Sequence, residues 1–187
     1  MEPRELLEIL SVAEKLKCVT RHSDTSSGRR ESVAEHCWRL SLFAMLLEEE
    51  FPDTDMLKVL KMCIIHDLGE AFTGDIATFK KTDSDREEEK ARFNQWISAF
   101  PEFQRLQFSA LLSEMEELET KEARLYKALD KLEAIIQHNE SDISSWLPLE
   151  YDLQLTYGQE NVEFSSYLKN LKAHIDNWTK EKIESGK

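Results

Sequence analysis

Apolar positions recur at helical spacing along most of the chain and almost nowhere alternate at the two-residue spacing of a strand. Leu6, Leu7, Leu10, Ala13 and Leu16 form one such stripe, with Pro3 where a first helical turn tolerates it. Ser32 and Glu35 make an S-x-x-E capping box, which predicts a helix from about Val33 to Glu50 that FPDTD breaks. A third helix is expected from about Met56 to Phe72, stopped by Thr73-Gly74-Asp75. The polar, Ser-rich stretch RHSDTSSGRR (21–30) reads as a loop, and KKTDSDREEEK (80–90) as a loop leading into a charged helix that ends near Phe100-Pro101. Helical patterns follow over roughly 102–117 and 120–140. The segment 141–162, with Trp146, Pro148, Tyr151, Tyr157 and Gly158, is the least regular, and a last helix is expected over 163–184. The pattern predicts an all-α fold, one domain over 1–187 built as a bundle of six or seven helices.

Composition sharpens this picture. Five glycines, four prolines and an abundance of Ala, Leu, Glu, Lys, Gln and Arg suit helices. A net charge of −13 argues against a nucleic-acid polymer as partner, because phosphate backbones need a basic face. It leaves room for a small anion held by local positive charge. Cys18, Cys37 and Cys63 are odd in number and without a C-x-x-C spacing, which points to reduced thiols and a cytoplasmic protein. MEPRELLEIL is too charged for a secretory signal, and no apolar run approaches the ~20 residues that span a bilayer.

One stretch asks for chemistry: KMCIIHDLGEAFTGD, residues 61–75. His66 and Asp67 follow an apolar run, and a carboxylate buried there needs a positive partner or a metal. On a continuous helix they stand about 100° apart, with Glu70 one turn further along the same side. His36 extends the inward stripe of Leu40, Phe43 and Leu47, and Asp130 borders that of Leu125, Leu129, Leu132 and Ile136. Two imidazoles and two carboxylates on inward faces of three helices make a plausible divalent-metal set. Singly, each has a plainer reading: His36 as a hydrogen-bonded core residue, Asp130 as an ion pair with Arg124 or Lys127, Glu70 as surface decoration.

The order H…HD…D, carried by His36, His66, Asp67 and Asp130, resembles the signature of the HD-domain metal-dependent phosphohydrolases. ESVAEH (31–36), HDLGEAFTGD (66–75) and ALDKLEA (128–134) are similar to segments of the bacterial 5′-deoxynucleotidases and their eukaryotic relatives. The resemblance covers about 5–140, its metal and catalytic core, and is looser beyond 141. It implies one divalent ion per chain (Mn, Co, Zn, Mg or Fe) held by those four residues. The ion activates a water for attack on a nucleoside 5′-monophosphate, releasing nucleoside and phosphate. By the same resemblance, Glu70 orients or deprotonates that water, and Asp75 protonates the leaving oxygen or positions water. Arg21 is a substrate-phosphate contact, and His22 stands where the family has a tryptophan against the sugar, so deoxyribose selectivity is in doubt. Arg29 and Lys81 match basic positions but read more simply as loop ion pairs. A homodimer is implied, with 141–162 serving as a contact surface or as a pocket lid.

Two other classes fit parts of the pattern. An HD-type oxygenase would need further inward histidines for a second metal, and His22, His138 and His174 sit in no matching motif. A non-catalytic, metal-stabilised binding module would have no need of Glu70 and Asp75. Cyclic-di-nucleotide phosphodiesterases and alarmone hydrolases lack their own motifs here.

Overall fold

A computed structural model describes residues 1–186. In chain order the elements are α1 (Pro3–Ala13), β1 (Thr20–Asp24), β2 (Arg30–Ser32), α2 (Val33–Leu46), α3 (Met56–Ile65), α4 (Glu70–Thr73), α5 (Asp83–Ser98), α6 (Glu102–Glu117), α7 (Lys121–Glu140), α8 (Glu150–Thr156) and α9 (Ser166–Ser185). The fold is all-α apart from the small antiparallel β1–β2 hairpin.

Helix α7 is the axis of the molecule. Thr120 caps it by accepting from the Ala123 amide at 3.2 Å. Its apolar stripe of Leu125, Leu129 and Leu132 is fully buried. Burying each such leucine contributes about 1.5–3 kcal/mol, so this stripe alone outweighs any single ion pair on the surface. Helices α2, α3 and α9 pack around α7, and the hydrophobic core runs without a break from Leu16 to Ile175. None of the described helices is long and apolar enough to cross a membrane.

The structure departs from the sequence pattern in ways that matter for the site. The 21–30 loop is a hairpin: Thr20 pairs with Ser32 and Asp24 with Arg30, and only the connection around Gly28, at φ 79°, is a true turn. The Gln137 side-chain amide donates to the Asp24 carbonyl at 2.7 Å and ties this hairpin to α7. In α1 the stripe of Leu6, Leu7 and Leu10 faces outward, and only Leu16, past its end, is buried. Helix α2 stops at Leu46 rather than Glu50, and α5 starts at Asp83, inside the expected loop, under a Thr82–Asp85 capping box.

The helix expected over 56–72 is two helices, α3 and α4, with His66–Gly69 between them in tighter turns. The cause is local. The Cys63 carbonyl, which would accept from the Asp67 amide in a continuous helix, lies 3.0 Å from His66 Nδ1 instead. The chain then proceeds by i→i+3 bonds, Leu68 to Ile65 at 3.1 Å and Glu70 to Asp67 at 3.0 Å. The simple 100° argument for His66 and Asp67 therefore does not hold, because both lie beyond the helix end.

Candidate metal centre and adjoining pocket

His36 sits one turn into α2, whose start is fixed by the Ser32–Glu35 capping box. Ser32 Oγ accepts from the Glu35 amide at 3.3 Å, and the Glu35 carboxylate accepts from the Ser32 amide at 2.9 Å. Arg29 clamps the same carboxylate at 2.5 Å, and these hydrogen bonds bring Glu35 down to about 2. Arg29 is thus an exposed ion-pair partner, as its plainer reading held.

From these supports two imidazoles converge. His36 Nε2 and His66 Nε2 are 3.2 Å apart. Asp67 Oδ2 lies 3.0 Å from His66 Nε2 and 3.8 Å from His36 Nε2. Asp130 Oδ1 lies 3.4 Å from His36 Nε2 and 3.6 Å from His66 Nε2. All four side chains named from the sequence therefore meet at one point, drawn from α2, the α3–α4 turn and α7. The donor atoms of His36, His66 and Asp67 all lie within 4.8 Å of one another, and Asp130 stands at the edge of that group, close to the two histidines.

The far side of each ring explains its orientation. His36 Nδ1 is hydrogen-bonded to the buried Glu133 carboxylate, whose other oxygen faces Arg39 Nε at 2.9 Å. His66 Nδ1 donates to the Cys63 carbonyl. With each Nδ1 so engaged, both Nε2 atoms point to the shared centre, which is how imidazole ligands are normally oriented. Asp130 also splits its duties: Oδ2 accepts from Lys127 Nζ at 2.9 Å, leaving Oδ1 for the histidines. The ion pair imagined for Asp130 exists beside the metal geometry rather than instead of it.

Electrostatics agree with this chemistry. Burial would lower His66, but the Asp67 and Asp130 carboxylates outweigh it and hold the imidazole well above its usual value. Burial would raise Asp67 and Asp130, yet their neighbouring cations keep both below the carboxylate range. Two carboxylates that demand positive charge, next to two oriented nitrogen donors, are a fitting set for a divalent ion.

Glu70 opens α4 and is 4% exposed. Burial, then the charges of Asp67, Asp75 and Glu89, push its carboxyl up to about 10, against the opposing pull of Lys81. Lys81 Nζ is 3.9 Å from Glu70 Oε1 but 2.5 Å from Glu89, and Glu70 Oε2 is buried without a hydrogen-bond partner among the described residues. Gly69 permits this packing: a Cβ there would meet Glu89 Cγ at 2.9 Å. Asp75 follows Gly74, whose φ of 79° ends α4, and burial raises its carboxyl against the lowering pull of Arg21.

Arg21 Nη1 lies 3.7 Å from Asp67 Oδ2, while its Nε lies 3.2 Å from Glu31. Arg21 and His22 are consecutive in β1, yet both line one pocket together with Asp75. An irregularity in the pairing register between Thr20 and Asp24 makes this possible, since a regular strand sends neighbours to opposite faces. The pocket is a small cleft open to solvent, and its far wall is α8 and Tyr157. Part of the irregular 141–162 segment is therefore pocket wall. His22 Nε2 lies 3.2 Å from Glu150, which also faces His138 Nε2 at 3.1 Å.

Sequence reasoning missed Glu133, Glu150 and the α8 wall, whereas Lys127 was named as an ion-pair partner of Asp130 and is one. Glu133 stood in ALDKLEA at i+3 from Asp130, a spacing that could have revealed it. Glu150 carried no comparable signal, because its proximity is tertiary.

The model of the HD domain family matches residues 13–172. The chain is 32% identical to the human 5′-deoxynucleotidase HDDC2 over 142 residues, covering 73% of this chain and 68% of that protein. Its Dictyostelium discoideum counterpart is 32% identical, with coverages of 70% and 74%. A solved structure from Magnetospirillum magnetotacticum MS-1, described as a predicted metal-dependent phosphohydrolase, superposes with a TM-score of 0.79 at 28% identity, covering 98% of this chain and 96% of that one. The chain belongs to the HD-domain family.

Proposed function

We propose that this protein is a divalent-metal-dependent phosphohydrolase that cleaves nucleoside 5′-monophosphates to nucleoside and phosphate. The observation that carries the reading is the meeting of His36, His66, Asp67 and Asp130 beside a pocket edged by Arg21 and Asp75. The 5′-deoxynucleotidase names of the relatives support the substrate class.

His36, His66, Asp67 and Asp130 would hold the ion. When bound, the ion supplies a more acidic water and neutralises charge on the phosphoryl group. The mixed nitrogen and oxygen donors suit Mn, Co, Fe or Zn, and Mg less well. Arg21 presents a guanidinium that stays charged at any working pH and is matched to phosphate oxygens. Glu70, protonated in the metal-free protein, would be brought down by the positive charge of a bound ion and would then take a proton from the attacking water or orient it, and Asp75, raised by burial, gives a proton to the departing nucleoside oxygen. His22 replaces a flat tryptophan by a smaller polar ring, which fits ribo- as well as deoxynucleotides.

The same reading extends to the setting. We take the whole chain as one cytoplasmic domain acting as a homodimer. The exposed Leu7, Leu10, Trp38, Met45 and Leu46 offer apolar surface for a second copy. Phosphate release from the deoxynucleoside and nucleoside monophosphates, with Mn²⁺ or Co²⁺, tests the reading. Release from at least one nucleotide is expected; none, with the metal shown to be bound, would overturn it.

A further inference from the structure

The pocket beside Arg21 and Asp75 ends on α8, and one residue there has no place in the mechanism above. Most of the polar groups around it are partnered. Glu150 accepts from the Leu147 amide at 2.6 Å and faces two imidazoles. The Tyr157 hydroxyl lies 2.6 Å from Lys131 Nζ and 3.1 Å from Thr78 Oγ1. Gln154 is the exception. It is 4% exposed and lines the pocket, yet among the described residues its amide has no hydrogen-bond partner. Its polar atoms are not sealed in the protein interior, so they face the pocket space. An amide that the protein itself leaves unpartnered on a pocket wall is completed by whatever fills the pocket, water in the empty site and ligand in the occupied one.

The chemistry of that ligand follows from the group. A primary amide offers a donor and an acceptor side by side, whereas a phosphate presents acceptors and would leave half of it unused. A nucleobase edge carries adjacent donors and acceptors. The apolar wall of Phe79, Leu153 and Ala77 suits the faces of a flat ring, and the phosphate end of the pocket is marked by Arg21. We infer that Gln154 reads the hydrogen-bonding edge of the nucleobase and sets the base preference of this site. The inference rests on the nucleotidase reading.

The test is steady-state kinetics on the metal-loaded protein with each nucleoside monophosphate and with base-free 2-deoxyribose 5-phosphate as reference ester. The wild type should favour some bases over others and all good nucleotides over the reference. Gln154→Met, which keeps length but removes the amide, should lower the ratio of nucleotide to reference kcat/KM on the order of 10- to 100-fold. The loss should fall on KM more than on kcat and should flatten the ranking of bases. Gln154→Glu, a second variant in case the first misfolds, should instead reorder the ranking toward bases that present donors. If the wild type cleaves nucleotides but both variants keep its base ranking, the inference fails and the nucleotidase reading stands. A wild type that cleaves the base-free ester as well as its nucleotides overturns the inference in the same way. Failure to cleave any of these esters overturns the nucleotidase reading and the inference with it.

Discussion

Glu70 holds a carboxyl where Lys81 opposes three neighbouring acids, and Lys81 is already bound to Glu89. Between the ordinary glutamate value and about 10, the unfolded chain has released this proton while the folded, metal-free protein keeps it. The unfolded state then binds fewer protons, so stability falls as pH rises through that window. Glu70→Gln should raise the Tm of the chelator-treated protein at pH 8 relative to wild type, and the gain should shrink toward pH 5. The same substitution should cut turnover by about 10²–10⁴-fold, the range of a lost general base. Differential scanning calorimetry at the two pH values and a phosphate-release assay check both halves; an unchanged Tm would deny that burial of this carboxyl is costly.

Glu133 acts at one remove. It touches His36 Nδ1 and Arg39, not the shared centre, and so orients a ring whose Nε2 faces the candidate metal centre. Glu133→Gln should weaken divalent-ion affinity by about 10–100-fold, as lost partners of histidine ligands do elsewhere. Titration calorimetry with Mn²⁺ reads this directly, and unchanged affinity would reduce Glu133 to a packing role.

At the scale of elements, the start of α2 and the break after α3 place the two histidines. Ser32 and Glu35 were legible because a capping box is a local pattern, and the structure shows both of its reciprocal bonds. Ser32→Ala should cost about 1 kcal/mol of stability, read as a lower midpoint in urea unfolding. Its effect on ion affinity should exceed that of a comparably destabilising change in α9, because His36 lies in the first turn of α2. The hairpin at 20–32 and the turn at 66–69 were not legible. The first depends on a bond from Gln137, over a hundred residues away, and the second on a side chain capturing a backbone carbonyl. Periodicity reports which face of a continuous helix is apolar, and neither event leaves a mark on it. The α1 stripe shows the converse limit, since amphipathic spacing cannot say whether another element covers it.

At the scale of the molecule, the inward positions of His36 and Asp130 could be read because α2 and α7 bury their stripes as spaced. The pocket could not, because its walls come from β1, the segment after α4, and α8, which only the fold brings together. One core from Leu16 to Ile175 holds these parts, so a bound ion that bridges α2, the α3–α4 turn and α7 should stabilise the whole. The central claim is that one divalent ion is held jointly by those elements. Metal content per chain, measured by mass spectrometry after Mn²⁺ loading and desalting, tests it most directly. One ion in the wild type, falling toward none in Asp67→Ala and in Asp130→Ala variants that remain folded, is the predicted result; no retained ion in the wild type, or an undiminished one in both variants, would contradict it.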